Sequence, residues 1–163
     1  MSWILSAQRD GGPDDAARAW QDYQRYLRDN AHRFPPGAFA LATSDWYHGF
    51  SDHRAPHDAW LKWARFEEPA SGDRRQNRQV SLRVRLLGAY HDHALEFYYP
   101  TVYAYTLDSA NSAQGHGDWR YDEFRLSAQG RLMHEIEWSG LSGQARWLIE
   151  ASDVEFTAQP LAA

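Results

Sequence analysis

Val80-Ser81-Leu82-Arg83-Val84-Arg85-Leu86-Leu87-Gly88-Ala89-Tyr90-His91-Asp92-His93-Ala94-Leu95-Glu96-Phe97-Tyr98-Tyr99 is the stretch that decides the fold. Val80, Leu82, Val84 and Leu86 alternate with Ser81, Arg83 and Arg85, the period of a strand with one buried face. Tyr90 to His93 then form a tight polar connection, and Leu95, Phe97 and Tyr99 resume the alternation. A connection that short permits an antiparallel hairpin and leaves no room for a parallel crossover.

The same rhythm runs outward from the hairpin. Upstream, Trp60, Lys62, Ala64 and Phe66 alternate with Leu61, Trp63 and Arg65. Apolar residues on both sets predict a strand partly covered on both faces. Downstream of Pro100, Val102, Ala104 and Thr106 alternate with Tyr103, Tyr105 and Leu107. Asp108 to Gly117 is a loop of small residues, and Trp119 to Leu126 reads as a strand. After a turn at Ser127 to Gly130, Leu132, His134, Ile136 and Trp138 mark an inner face. Ala145, Trp147, Ile149 and Ala151 mark the next, and Val154 to Thr157 a last short strand.

Only the N-terminal quarter departs from this pattern. Pro13 with Asp14 and Asp15 starts a helix, and Ala16, Trp20, Tyr23 and Leu27 place one apolar stripe along it as far as Asn30. Ala38 to Ala42 fits a short helix or a strand, and Ser44 to Phe50 a strand leading into a turn. The predicted class is α+β: one N-terminal helix packed on a six- to eight-stranded, mostly antiparallel sheet or half-barrel, in a single domain over residues 1–163.

Composition narrows the function. The chain has 163 residues, a net charge of −5 and no cysteine, so thiolate metal sites, cysteine nucleophiles and disulfides are excluded. A mildly acidic chain lacks the basic footprint of a nucleic-acid binder. The island Arg74-Arg75-Gln76-Asn77-Arg78 reads as a solvated loop. No window approaches a membrane span, and Met1 to Gln8 lack a basic leader, so the expected location is cytoplasmic. Eight Trp, nine Tyr and seven Phe exceed what strand faces need. Some of Trp46, Tyr47, Trp60, Trp63, Tyr98, Tyr99, Tyr103 and Tyr105 are therefore expected on a surface, with an acidic rim from Asp45, Asp52, Asp118, Asp122 and Glu123.

Histidines and carboxylates gather at His57-Asp58, His91-Asp92-His93 and His116-Gly117-Asp118, with Asp122-Glu123 following either as a solvated acidic edge or as part of a binding face. His134-Glu135 lies mid-strand. Together His57, Asp58, His91, Asp92, His93, His116, Asp118, Asp122 and Glu123 form the candidate site. His91 and His93, at i and i+2, can chelate one divalent metal, with His116 a further ligand. Glu96 gives a distant likeness to the histidine-x-histidine plus glutamate pattern of cupin barrels, but only two residues separate it from His93. A histidine–aspartate dyad for acid–base work would need partners from different loops, because neighbours on a strand face opposite ways and His57 cannot pair with Asp58.

The runs Ala55-Pro56-His57-Asp58-Ala59-Trp60-Leu61, Leu86-Leu87-Gly88-Ala89-Tyr90-His91-Asp92 and His116-Gly117-Asp118-Trp119-x-Tyr121-Asp122-Glu123 resemble a family of uncharacterised bacterial proteins of similar length, over residues 45 to 140. The resemblance transfers no catalytic residue. In character the chain is also similar to immunity proteins that neutralise toxins. The leading expectation is a non-enzymatic protein-binding domain of the immunity or antitoxin kind, without a cofactor. A small enzyme or ligand-binding domain with a His/Asp-rich, metal-dependent site is the alternative, and a sheet edge that pairs with a second copy would make a homodimer.

Overall fold

The computed structural model describes residues 1–163. Helix α1 spans Pro13–Asp29 and helix α2 Pro36–Ala42. Nine strands follow: β1 Trp60–Glu67, β2 Ala70–Ser71, β3 Asn77–Arg78, β4 Val80–Leu87, β5 His93–Leu107, β6 Asp118–Leu126, β7 Leu132–Gly140, β8 Gly143–Ala151 and β9 Glu155–Pro160. The α+β class and the antiparallel pairing match expectation; Ser44 to Phe50 is a turn rather than a strand. No helix is long and apolar enough to cross a membrane.

Seven strands make one sheet in the order β4-β1-β6-β7-β8-β5-β9, and β4 also pairs with β5. The six strands β1, β4, β5, β8, β7 and β6 therefore close into a ring, every junction antiparallel. Strand β5 spans two neighbours on one edge because it is long and bent: its first half pairs with β9 and its second with β8. Pro100, which has no N–H to give, falls where the β4 register shifts between Val80 and Leu82, so the strand passes through it as a bulge.

The seam between β1 and β6 is the weak junction. It holds one ladder pair, Trp60 with Asp118, extended by Asp58 N–H to the Trp119 carbonyl (2.7 Å) and Trp119 N–H to the Ala59 carbonyl (3.0 Å). Past this point the two strands run apart. The remaining β6 edge is satisfied by side chains instead. The Tyr23 hydroxyl of α1 donates to the Phe124 carbonyl (3.0 Å) and accepts from its N–H (2.8 Å), and the Tyr26 hydroxyl accepts from Leu126 N–H (2.9 Å). A helix thus stands where a strand would otherwise lie. Its buried stripe is Ala19, Tyr23 and Leu27. Ala16 and Trp20, expected on that stripe, face its margin.

The divergence also corrects the expectation for β1. Beyond Leu61 it pairs only with β4, and the partial cover expected on both faces stops at Trp63: Ala64 to Glu67 are exposed. The core lies inside the ring. Leu82, Val84, Leu86, Leu95, Phe97, Tyr99, Leu132, Ile136, Trp138, Trp147 and Ile149 are all buried, as the period-2 reading requires, and the register shift between Trp119 and Tyr121 turns both Trp119 and Phe124 of β6 inward.

Two distant anchors fix the N-terminal elements. Asp153 accepts from Gly37 N–H (3.0 Å) and Ala38 N–H (2.9 Å) at the start of α2. Gly37 packs so close to β9 that a Cβ would stand 2.1 Å from the Val154 carbonyl oxygen. Glu123, fully buried, accepts from the backbone N–H groups of Trp3 (3.1 Å), Ile4 (2.8 Å) and Leu5 (3.4 Å).

Candidate functional site

Adjacent residues Asp122 and Glu123 point to opposite sides of β6, yet both are buried, which corrects the expectation of an acidic edge or rim. Asp122 faces into the ring. It accepts from the Tyr47 hydroxyl (2.7 Å), Trp119 Nε1 (3.1 Å) and His134 Nε2 (2.7 Å), and the Tyr99 hydroxyl meets His134 Nδ1 at 2.7 Å. Burial alone would push the Asp122 carboxyl up. Hydrogen bonds and positive character from His134, with His48 and Tyr47, outweigh it and hold the group below the ordinary carboxylate value. Tyr47 and Tyr99 are pushed far up by burial and keep their protons.

Glu123 lies on the other face and begins a chain of ion pairs. Arg125 Nη1 bridges Glu123 (2.7 Å) and Glu135 (2.6 Å), and Arg146 bridges Glu135 (3.1 Å) and Glu137 (2.8 Å). Glu137 holds Arg9 at 3.2 Å. Arg9 belongs to the 3-10 turn Ala7–Gly11 and lies over the Tyr121 ring, 4.4 Å from its centroid. The N-terminal segment is thereby clamped on the outside of β6 to β8, with one guanidinium delivered to the seam.

Arg9 and Tyr121 divide two clefts. The more polar, about 900 Å³, includes Trp60, His116, Asp118, Arg120 and Glu137. The second, about 770 Å³, lies between α1, the 43–57 segment and the start of β6. Ile4, Ala16, Ala19, Trp20, Tyr47 and Phe50 give it apolar walls, and Arg9, His48, His57 and Arg120 place polar groups among them. Three buried side-chain polar atoms lack a hydrogen-bond partner: Arg9 Nη1, His48 Nε2 and Trp138 Nε1. Two of these belong to walls of this second cleft. The His48 ring meets Trp20 and Tyr47 edge-on, each with centroids 4.9 Å apart, and burial lowers its proton affinity.

His57 is held beside that cleft. A carbonyl can only accept, so Nδ1 carries the proton that it donates to the Arg120 carbonyl (2.6 Å); the ring stacks on Phe50 at 4.1 Å. Asp58 adopts a positive φ of 60°, off the strand, so its carboxylate reaches both Arg120 (3.2 Å) and His57 Nε2 (3.5 Å). This turn brings the Asp58 carboxylate to the edge of the His57 ring, a proximity not open to two strand neighbours.

The expected metal trio His91, His93 and His116 goes to three environments. His91, at φ 59°, lies against Trp60 (4.7 Å), whose Nε1 donates to Asp118 (2.8 Å). His116 packs against Trp138 and Trp147, and burial lowers its proton affinity. His93 Nδ1 instead meets Asp92 at 2.9 Å, and the other Asp92 oxygen meets His53 Nδ1 at 2.5 Å. The group whose ligand atoms all lie within 4.8 Å of one another is His53, Asp92 and His93. Sequence reasoning missed His53, which stands 39 positions from Asp92. It also missed His48 and Arg9, which no motif marks. Of the aromatic residues expected at the surface, Tyr47 and Tyr99 are buried, whereas Trp60, Tyr103 and Tyr105 are exposed.

Comparison with protein-family models, with curated proteins and with solved structures found no match to this chain.

Proposed function

We propose that the protein is a binding domain for a small amphipathic molecule, which enters the seam cleft beside α1. The single observation behind this reading is the pair of unpartnered atoms, Arg9 Nη1 and His48 Nε2, on the walls of one cleft. A buried polar atom left unsatisfied costs roughly 1–3 kcal/mol, and a ligand oxygen that displaces the cleft wall enough to meet either one would recover part of that loss. Mostly apolar walls with a few fixed polar groups are the usual composition of a small-molecule site. The ligand class that fits is an aromatic or short aliphatic body carrying one carboxylate or carbonyl. Arg9 is an obligate donor, and its attachment to Glu137 fixes its position without using all its N–H groups. The test is calorimetric titration with aromatic carboxylates such as indole-3-acetate. Measurable affinity that falls at least about tenfold in Arg9→Met and in His48→Phe, one charge-assisted hydrogen bond in each case, supports the reading. Equal binding by both variants, or none by the wild type, refutes it.

A protein partner, such as a toxin, is a second reading, and one observation favours it. Phe66 and Tyr105 are exposed at the free part of β1, in ring contact at 4.4 Å. Exposed aromatic groups of this kind serve association. The acidic rim once expected around such a patch has lost Asp122 and Glu123 to burial. Sedimentation across micromolar concentrations tests the homodimeric version: a mass that stays monomeric removes it.

A further inference from the structure

The rim of the ring carries a second constellation, at the β4–β5 hairpin tip. We infer that His53, Asp92 and His93 form a binding site for one divalent transition-metal ion of the zinc, nickel or copper type. Two imidazoles and a carboxylate are the donor set for such ions, whereas magnesium and calcium take oxygen ligands. The donors already converge: both Nδ1 atoms turn to one carboxylate, at 2.5 Å and 2.9 Å. In a tetrahedral zinc site, ligand atoms about 2.0–2.1 Å from the metal lie somewhat farther apart than this. Only a slight opening is needed.

Three elements hold the donors in place. The His53 ring stacks flat on Tyr90, with centroids 3.9 Å apart and planes 4° from parallel. The Tyr90 hydroxyl in turn donates to the Phe50 carbonyl at 3.1 Å. His91, in its left-handed conformation, closes the tip with its N–H on the Gly88 carbonyl (2.8 Å). On the far side, Leu161 N–H donates to the Asp92 carbonyl at 2.7 Å, beyond the pairing of His93 with Pro160 in β9. Packing and hydrogen bonds thus fix the donors before any metal arrives, as a preorganised site requires.

Without metal each Nδ1 carries the proton that it gives to the acceptor-only carboxylate. On binding, each imidazole presents an Nδ1 lone pair and keeps its proton on Nε2; no oxidation or bond cleavage is involved. His53 and Asp92 are about half exposed, so the outer coordination positions face solvent. The ion would join the 50–57 segment, which brings Phe50 and His57 to the seam cleft, to the β4–β5 hairpin and the end of β9. This inference does not depend on the ligand reading of that cleft.

The experiment uses the full chain and zinc chloride alone, by isothermal titration and by melting with and without zinc. One equivalent bound, with a rise in melting temperature by mass action, is expected for wild type and for His91→Ala. In His53→Ala and His93→Ala the affinity should fall at least about tenfold and the melting shift should vanish. Asp92→Asn serves as a third variant, and metal-free melting curves confirm that each variant folds. Absence of binding by the wild type, or one equivalent bound with undiminished affinity by both histidine variants, overturns the proposal.

Discussion

Asp92 and Asp122 each engage a histidine and at least one further side chain, yet their surroundings are opposite. Asp122 is almost wholly buried inside the ring, with three donors on its two oxygens. Asp92 sits half-exposed at a hairpin tip, with two imidazoles on its own. Removing a partner from a buried ionic cluster strands the remaining charge and dipoles in a medium that solvates them poorly, whereas water replaces a lost partner at the surface. The buried cluster is therefore built into the fold. Through Tyr47 it fixes the irregular segment that carries His48, and so shapes one wall of the seam cleft. The exposed cluster contributes little to folding and is free to exchange its partners for an ion.

Alanine at the two aspartates should separate these roles most widely. Asp122→Ala leaves Tyr47, Trp119 and His134 without their acceptor and should cost about 3–5 kcal/mol. Asp92→Ala should leave the denaturation midpoint within experimental scatter of the wild type. Urea unfolding of both proteins checks this. Similar losses at the two positions would erase the distinction.

A smaller effect lies in the pH profile. The Asp122 value is lowered in the fold, so its stabilisation is complete above the ordinary carboxylate value of about 3.9. That contribution is lost as pH falls through the lower folded value. His48 is lowered by burial, so the unfolded chain takes up its proton first, and stability declines as pH falls from about 6.5 toward the folded value. His116, also lowered by burial, acts in the same upper window. Unfolding measured from pH 8 to pH 5 should show that decline, reduced in His48→Phe. From pH 5 downward the further loss should be reduced in Asp122→Asn. A flat wild-type profile from pH 8 to pH 5 would contradict the burial of His48.

Much of this fold was legible in the sequence because strand alternation is a local signal. The β4–β5 hairpin, the inner faces of β7 and β8, and His134 on such a face all follow from period 2. Ring closure was not legible, since β1 meets β6 through one ladder pair between Trp60 and Asp118. The burial of Glu123 was equally hidden, because its cover is the backbone of Trp3 to Leu5, some 120 positions away. Of the site, Asp92 with His93 could be read from adjacency, and the approach of the Asp58 carboxylate to His57 could not, because the positive φ of Asp58 is a feature of the turn. His53, His48 and Arg9 became visible only when tertiary packing brought them to their partners. Burial, and not sequence proximity, decides which histidine–carboxylate pairs are structural and which are open to a ligand.

The seam cleft is the most consequential product of the buried cluster, and site-resolved NMR during titration with indole-3-acetate tests it most directly. The account predicts that the His48 ring and Arg9 side-chain signals shift and saturate together while the His53 and His93 ring signals stay in place. Shifts confined to the hairpin tip or the exposed face of β1, or no saturable shift at His48 and Arg9, would contradict it.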